Sequence, residues 1–159
     1  MDEGKSVKRG IEERAARLFA GHLFGSVPYE IKHRKEDDSV DIEIDGRIQL
    51  QVTQVGPGKE FYAARAYDAG GPGPVPRDIV AQVFEAIDRK TTKKISSDAE
   101  NIVLLLYCDM GLAEFERIRL NSDRIKRHII ANCRQHKPYK EVWAVLRDKD
   151  PRGLIKLYP

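Results

Sequence analysis

The sequence predicts an α/β fold in which helices cover both faces of a mixed central β-sheet. Residues 41–55, DIEIDGRIQLQVTQV, alternate apolar and polar residues on either side of Asp45-Gly46, which is the pattern of a β-hairpin. Residues 101–107, NIVLLLY, form a continuous apolar run, typical of a strand that is covered on both faces. Apolar residues recur at helical spacing in residues 7–24, 77–94 and 112–136. The hairpin is therefore expected at one side of the sheet.

The first helical block, residues 7–24, is amphipathic and is expected to pack on the sheet. Gly25 follows it and is the residue type that commonly ends a helix. Glu12 borders the apolar side, so its carboxylate either reaches into a site or belongs to a solvated flank. A short strand is expected at residues 27–31. His33 then falls in a polar turn, where the basic KHRK is followed directly by the acidic EDD.

The hairpin is expected to have one buried face and one polar face, because successive side chains of a strand point in opposite directions. The buried face carries Ile42, Ile44, Ile48, Leu50 and Val52. The polar face carries Asp41, Glu43, Asp45, Gln49, Gln51 and Thr53. Carboxylates and amides on paired strands can hold a divalent cation. The alternative is a strand face that is simply solvated, and the alternation is compatible with both.

Residues 56–76 are rich in glycine and proline, which predicts a long loop without regular structure at its ends. The helix predicted at 77–94 has its apolar stripe at Ile79, Val80, Val83, Phe84 and Ile87. Lys90 continues this stripe and is expected to turn toward the sheet. The basic end of the helix also contains Arg89, Lys93 and Lys94, cations that suit the helix dipole or bind phosphate groups.

The third helical block, residues 112–136, is interrupted at Asn121-Ser122, a sequence that favours the start of a new helix. Its second part is expected to bury Ile125, Ile129, Ile130 and Cys133. The outer face concentrates positive charge at Arg124, Lys126, Arg127, His128 and Arg134. The helix is expected to end before Pro138. Two further strands are predicted at residues 142–146 and 154–158.

Length and composition predict one domain, residues 1–159. The chain has 28 Lys and Arg against 25 Asp and Glu, and a net charge of +3 is too mild to identify a nucleic-acid-binding protein by itself. No apolar run approaches the roughly 20 residues needed to span a bilayer, and the first residues lack the apolar segment of a secretion signal. Cys108 and Cys133 have no metal-type spacing and are expected to be reduced thiols. We therefore expect a cytoplasmic protein.

The predicted elements, taken in order over residues 7–110, resemble the PD-(D/E)XK nuclease-like superfamily, also called restriction-endonuclease-like. The resemblance is to the core order αβββαβ and to the hairpin. Asp41, in SVDIEI, stands where the family has an aspartate on its second core strand. The triplet Gln51-Val52-Thr53, in LQVTQV, falls where the third strand of the family carries (D/E)-x-K or, in several branches, a triplet that ends in threonine.

The resemblance implies an endonuclease that uses Mg²⁺ or Mn²⁺ to hydrolyse nucleic-acid phosphodiesters, and nucleases of this type are often homodimers. The implied catalytic residues are Asp41, Gln51, Thr53, Lys90 and Glu12. Asp41 and Gln51 would hold the metal ion, with Glu43 or Glu12 assisting. Gln51 replaces an acid of the family, so it offers an oxygen ligand without negative charge and should lower the affinity for the metal. Lys90 would take over the role of the lysine that Thr53 replaces.

The implied nucleic-acid-binding residues are Arg89, Lys93, Lys94, Arg124, Lys126, Arg127 and Arg134. Two other functions fit the same sequence. The first is a catalytically inactive protein of the same fold that binds nucleic acid or a protein partner, because the exchange of an acid for Gln51 is a common way to lose chemistry. The second is an α/β interaction module in which all the polar strand residues are solvated.

Overall fold

The computed structural model describes residues 3–34, 40–56, 78–92, 101–133 and 139–159. The helices and strands in these residues are, in chain order, α1 (Glu3–Phe24), β1 (Ile31–His33), β2 (Ile42–Ile44), β3 (Ile48–Val55), α2 (Ile79–Thr92), β4 (Ile102–Cys108), α3 (Leu112–Leu120), α4 (Ser122–Cys133), β5 (Glu141–Leu146) and β6 (Leu154–Tyr158).

The strands form one six-stranded mixed sheet in the described part of the chain, with the spatial order β1-β2-β3-β4-β5-β6. β3, β4 and β5 are parallel, whereas β1-β2, β2-β3 and β5-β6 are antiparallel. Each parallel pair is joined through helices, α2 before β4 and α3 with α4 before β5, as a parallel connection requires. The predicted α/β class and mixed sheet, with the antiparallel hairpin at one side, are confirmed.

Helices cover both faces of the sheet, as predicted. On one face α1 packs, through Phe19 and its neighbours, against Leu50 and Leu105. On the other face Val83 of α2, with residues of α3 and α4, packs against Leu104. All seven residues of β4 are buried, which explains why the sequence of this strand is apolar without interruption.

The hairpin turns at the predicted Asp45-Gly46. Both residues have positive φ angles, 54° and 65°, and the backbone N–H of Arg47 donates to the carbonyl of Ile44 over 3.0 Å. Positive φ at both central residues defines a type I′ turn, whose twist matches that of paired strands. β2 and β3 pair Ile44 with Ile48, so the loop between the strands also includes Arg47 and is three residues long.

The first strand lies later in the chain than predicted. β1 pairs Ile31 with Ile44 and His33 with Ile42, so His33 belongs to a strand and not to a turn. Val27, where the strand was expected to begin, is 61% exposed. Short apolar runs locate a strand only approximately, because its bounds depend on which residues find a partner on β2.

Two further predictions about side chains are wrong. Ile130 is 42% exposed, because one residue past the buried Ile129 rotates a helical side chain away from the core. His128 is only half-exposed and does not lie on a solvated outer face. Cys108 is buried in the core. The side chain of Cys133 is not among those that the structure describes.

Several predicted features lie outside the described residues. They are the loop after Gly56, the end of the second helix with Lys93 and Lys94, and Arg134. Within the described ranges, no helix is long and apolar enough to cross a membrane.

Candidate functional site

Asp41 lies just before β2 and contacts the two residues of β3 that flank Gln51. β2 and β3 pair Ile42 with Leu50, and the backbone N–H of Asp41 donates to the carbonyl of Leu50 over 2.8 Å. Leu50 thus faces both Asp41 and Ile42, so the regular register does not continue to a pair of Asp41 with Gln51. The Oδ2 atom of Asp41 also accepts a hydrogen bond of 2.8 Å from the backbone N–H of Val52. The carboxylate of Asp41 is therefore anchored to β3.

Gln51 and Thr53 are buried, with only 9% and 5% of their surface exposed. They lie on the face of β3 that α2 covers, so the sheet is covered here on both sides. The expectation that the polar strand residues are all solvated is wrong for these two. A buried amide and a buried hydroxyl need hydrogen-bond partners, since an unpaired polar group costs free energy in the interior.

The partner of Gln51 is Tyr139, which precedes β5 and is 3% exposed. The phenol O–H of Tyr139 donates a hydrogen bond to Oε1 of Gln51. The carbonyl oxygen of Lys90 lies 3.5 Å from the same hydroxyl. Burial raises the pKa of the Tyr139 phenol, and the negative charge of Asp41 raises this pKa further. Tyr139 thus links β3, α2 and the start of β5 at the position of the predicted site.

The partner of Thr53 is Arg89, whose Nη2 atom donates to Oγ1 of Thr53 over 3.0 Å. Arg89 is exposed on α2, so its guanidinium reaches from solvent to a buried residue of β3. Thr53 occupies the position that the family resemblance assigns to a lysine. A positive charge therefore lies next to this position, although it comes from α2 and not from β3.

Glu12 belongs to α1, which covers the other face of the sheet, and it is 7% exposed, so it is not part of a solvated flank. Burial raises the pKa of its carboxyl group, and the negative charge of Asp41 raises this pKa further. The positive charges of Lys8, His33 and Lys90 lower it. Nζ of Lys8, a largely exposed residue, lies 3.9 Å from Oε1 of Glu12. Two carboxylates, Glu12 and Asp41, therefore repel each other in a partly buried place.

Lys90 is half-buried at the predicted end of the α2 stripe, and its charge acts on Glu12. Both observations agree with the expectation that Lys90 turns toward the sheet. Glu43 has a different environment. Its Oε1 atom accepts a hydrogen bond of 2.8 Å from Nη1 of Arg34, and the residue pairs with Gln49, two positions along the ladder from Gln51. The structure thus gives Glu43 a salt bridge at the edge of the hairpin.

The donor set fits one mode of metal binding and not another. Within the described residues, no group of three or more His, Cys, Asp or Glu side chains could hold a metal ion as an all-protein cage. The residues that act on one another here are the two carboxylates of Glu12 and Asp41. Mg²⁺ is usually held by one or two carboxylates together with water and substrate phosphates. Glu12 and Asp41 are two carboxylates of the kind that this open mode uses.

The predicted nucleic-acid-binding residues are only partly described. Arg124, Lys126 and Arg127 are exposed on α4, and the guanidinium of Arg124 lies 5.5 Å from the ring centre of Phe84. The ring of His128 stacks on Phe84 with 4.0 Å between the ring centres. Nε2 of His128 also lies 2.7 Å from Oδ1 of Asp88. His128 therefore joins α4 to α2.

Sequence reasoning missed Tyr139 because no local pattern connects it to Gln51. The two residues are 88 positions apart, and Tyr139 lies just before a strand, outside any periodic run. Its position after Pro138 indicates only the end of a helix. The contact between Tyr139 and Gln51 depends on the tertiary arrangement, in which β5 lies beside β4.

No protein-family model matches the chain, and neither a curated protein nor a solved structure matches it. The function must therefore be argued from the residues of the site.

Proposed function

We propose that the protein is a metal-dependent, nuclease-like enzyme that hydrolyses nucleic-acid phosphodiesters. The observation that carries the proposal is the juxtaposition of Asp41, Gln51, Glu12 and Lys90, which come from four different elements. Val52, which follows Gln51 in the chain, donates its N–H to Asp41, and the charges of Asp41 and Lys90 act on the buried carboxyl group of Glu12. These are the residues that the resemblance to the PD-(D/E)XK superfamily implies.

In this proposal Asp41 and Glu12 hold Mg²⁺ or Mn²⁺. The ion, when bound, would activate water and stabilise the negative charge that develops on the phosphate. The N–H of Val52 fixes one oxygen of Asp41, which leaves the other oxygen for the ion. Burial and, after it, the negative charge of Asp41 raise the pKa of Glu12. A cation would offset the repulsion between the two carboxylates, which therefore favour its binding electrostatically.

The positive side chains around the site have two tasks in the proposal. Lys90, which acts on Glu12, would stabilise negative charge close to the reacting phosphate. Arg89, held at Thr53, would bind a neighbouring phosphate group. The more distant Arg124, Lys126 and Arg127, with Lys93, Lys94 and Arg134, would extend the contact along a nucleic-acid backbone.

The test is cleavage of plasmid DNA and of single-stranded DNA or RNA in Mg²⁺ or Mn²⁺, with D41N beside the wild type. D41N is the sharpest variant because its amide oxygen can still accept from Val52 while the charge is lost. Cleavage by the wild type that D41N and chelation both abolish supports the enzyme. Equal cleavage by D41N and wild type would contradict the assignment of Asp41 to a metal-dependent active site.

A second candidate function is nucleic-acid binding without cleavage. The contact between Gln51 and Tyr139 favours it, because the residue at the position of the second acid is neutral and its oxygen already accepts a hydrogen bond. Q51E restores the acid and separates the two functions. Cleavage that appears only in Q51E would identify an inactive site of nuclease type.

A further inference from the structure

We propose that Gln51 offers its amide N–H groups, and not its oxygen, to the ligand of the site, and that it binds an anionic oxygen of a phosphate group there. Tyr139 is the positioning residue that sets this orientation. The nature of the anion rests on the proposed function, whereas the orientation of Gln51 rests on its contacts alone. The inference assigns residue 51 the opposite role from a metal ligand.

The first step concerns the proton of the Tyr139 hydroxyl. A tyrosine is un-ionised at neutral pH, since its ordinary pKa is about 10, and a buried O–H needs an acceptor. The carbonyl of Lys90 is at 3.5 Å, the outer limit of a hydrogen bond. Oε1 of Gln51 is in direct contact. The proton is therefore donated to Gln51.

The second step concerns the amide of Gln51. If the amide were turned over, its nitrogen would face the hydroxyl and only the distant carbonyl of Lys90 would remain to accept the phenol proton. The contact with Tyr139 therefore selects one orientation of the amide. Since the oxygen and nitrogen of an amide diverge from the same carbon, the two N–H groups point away from Tyr139.

The third step concerns what these N–H groups meet. Among the residues that the structure describes, the side chain of Gln51 makes no hydrogen bond besides the one with Tyr139. Its nitrogen is also not among the described buried atoms that lack a partner, so it remains in contact with solvent. Part of the small accessible surface of Gln51, which is 9% exposed, therefore belongs to this donor.

The fourth step is the chemistry of the ligand. Gln51 adjoins Val52, whose N–H binds Asp41, so a cation held by Asp41 and Glu12 in the proposed function would lie in the same region as the two N–H donors. Such donors match an oxygen that carries negative charge. A non-bridging phosphate oxygen has this character, and hydrogen bonds to ionised oxygens are the stronger kind. Arg89, two residues along β3 at Thr53, supplies a positive charge for the same anion or its neighbour.

The test uses two titrations on the full chain, with Q51A, Y139F and D41N beside the wild type. Mn²⁺ alone is titrated by calorimetry. A fluorescein-labelled oligonucleotide is titrated by anisotropy in Mg²⁺ at low temperature, with a gel to show that it stays intact. We expect Q51A to bind the oligonucleotide about tenfold more weakly, and its Mn²⁺ affinity to stay within about twofold of wild type.

Y139F tests the positioning role, because phenylalanine fills the same space and lacks the hydroxyl. We expect it to weaken oligonucleotide binding in the same direction as Q51A and to leave Mn²⁺ affinity unchanged, an effect that a purely structural role would not produce. A loss of Mn²⁺ affinity in Q51A would overturn the inference. So would wild-type oligonucleotide affinity in Q51A or in Y139F. D41N reports on the proposed metal site separately, since only the proposed function requires it to lose Mn²⁺.

Discussion

The hydroxyl group of Tyr139 donates a hydrogen bond to the side-chain oxygen of Gln51 in the interior of the protein. The contact joins Gln51, on which the proposed enzyme activity depends, to the residues just before β5. A glutamate at position 51 would bring a second negative charge to the hairpin, next to Val52, whose N–H binds Asp41. Gln51 is instead neutral and accepts a hydrogen bond from the neutral Tyr139. The acids of the proposed site are therefore Asp41 and Glu12.

Replacement of Asp41 should separate its structural role from its charge. D41A leaves the N–H of Val52 without the acceptor that Asp41 provides, and we expect the free energy of unfolding to fall by about 1–3 kcal/mol. D41N keeps an oxygen acceptor and should lose less. Urea denaturation of both variants measures the difference. Equal loss in the two variants would contradict a structural hydrogen bond at Val52.

Replacement of Glu12 should change how stability depends on pH. The pKa of Glu12 is raised above its ordinary value of 4.5 in the folded protein. A raised carboxyl pKa gives stability that is present below the ordinary pKa and lost as pH rises through the folded-state pKa. The free energy of unfolding of E12Q minus that of wild type should therefore increase from pH 4 to pH 8, as measured by urea denaturation.

Asp41 provides the control for this pH dependence, because its charge contributes to the shift of Glu12. In a D41N background the same E12Q difference should grow less between pH 4 and pH 8. Added Mg²⁺ should reduce the E12Q difference in the protein that retains Asp41, and not in the D41N background. A difference that is constant with pH would mean that Glu12 titrates normally.

Arg89 should contribute to the affinity for a polyanion. R89A removes one phosphate-binding charge, and we expect the slope of log affinity against log salt concentration to fall by about one for a labelled oligonucleotide. K149A is the matched control, since Lys149 is exposed beyond the opposite end of β5 from Tyr139. Equal slopes for R89A and wild type, measured by anisotropy, would exclude Arg89 from the interface.

His128 should stabilise the packing of α4 on α2. H128A loses the stack on Phe84 and the contact with Asp88, and we expect a loss of about 1 kcal/mol because both groups are partly solvated. K126A, an exposed position on the same helix, is the control and should change the free energy of unfolding little. If the two variants were equally stable in urea, the contact between the helices would contribute nothing measurable.

The α/β class and the hairpin could be predicted from the sequence because both depend on local patterns. The Asp45-Gly46 sequence favours a turn, so the pairing of its two strands follows from residues that are close together in the chain. The apolar run of β4 likewise requires cover on both faces. These features need no knowledge of distant residues.

The burial of Gln51 and Thr53 could not be predicted in this way, because alternation specifies two faces and not what covers each of them. The partner of each residue comes from elsewhere in the chain, Tyr139 for Gln51 and Arg89 for Thr53. The prediction that His128 lies on an outer face is wrong for the same reason, since its partners Phe84 and Asp88 lie on another helix. Side-chain pairs between distant elements depend on tertiary packing.

The central claim is that Asp41 and Glu12 form a site for a divalent cation, and calorimetric titration of Mn²⁺ into the wild type and D41N tests it most directly. We predict saturable binding of Mn²⁺ to the wild type and loss of this binding in D41N. The Mn²⁺ affinity of E12Q should be lower than that of wild type and higher than that of D41N. The same heat of binding in wild type and D41N, or no binding to the wild type at millimolar Mn²⁺, would contradict the account.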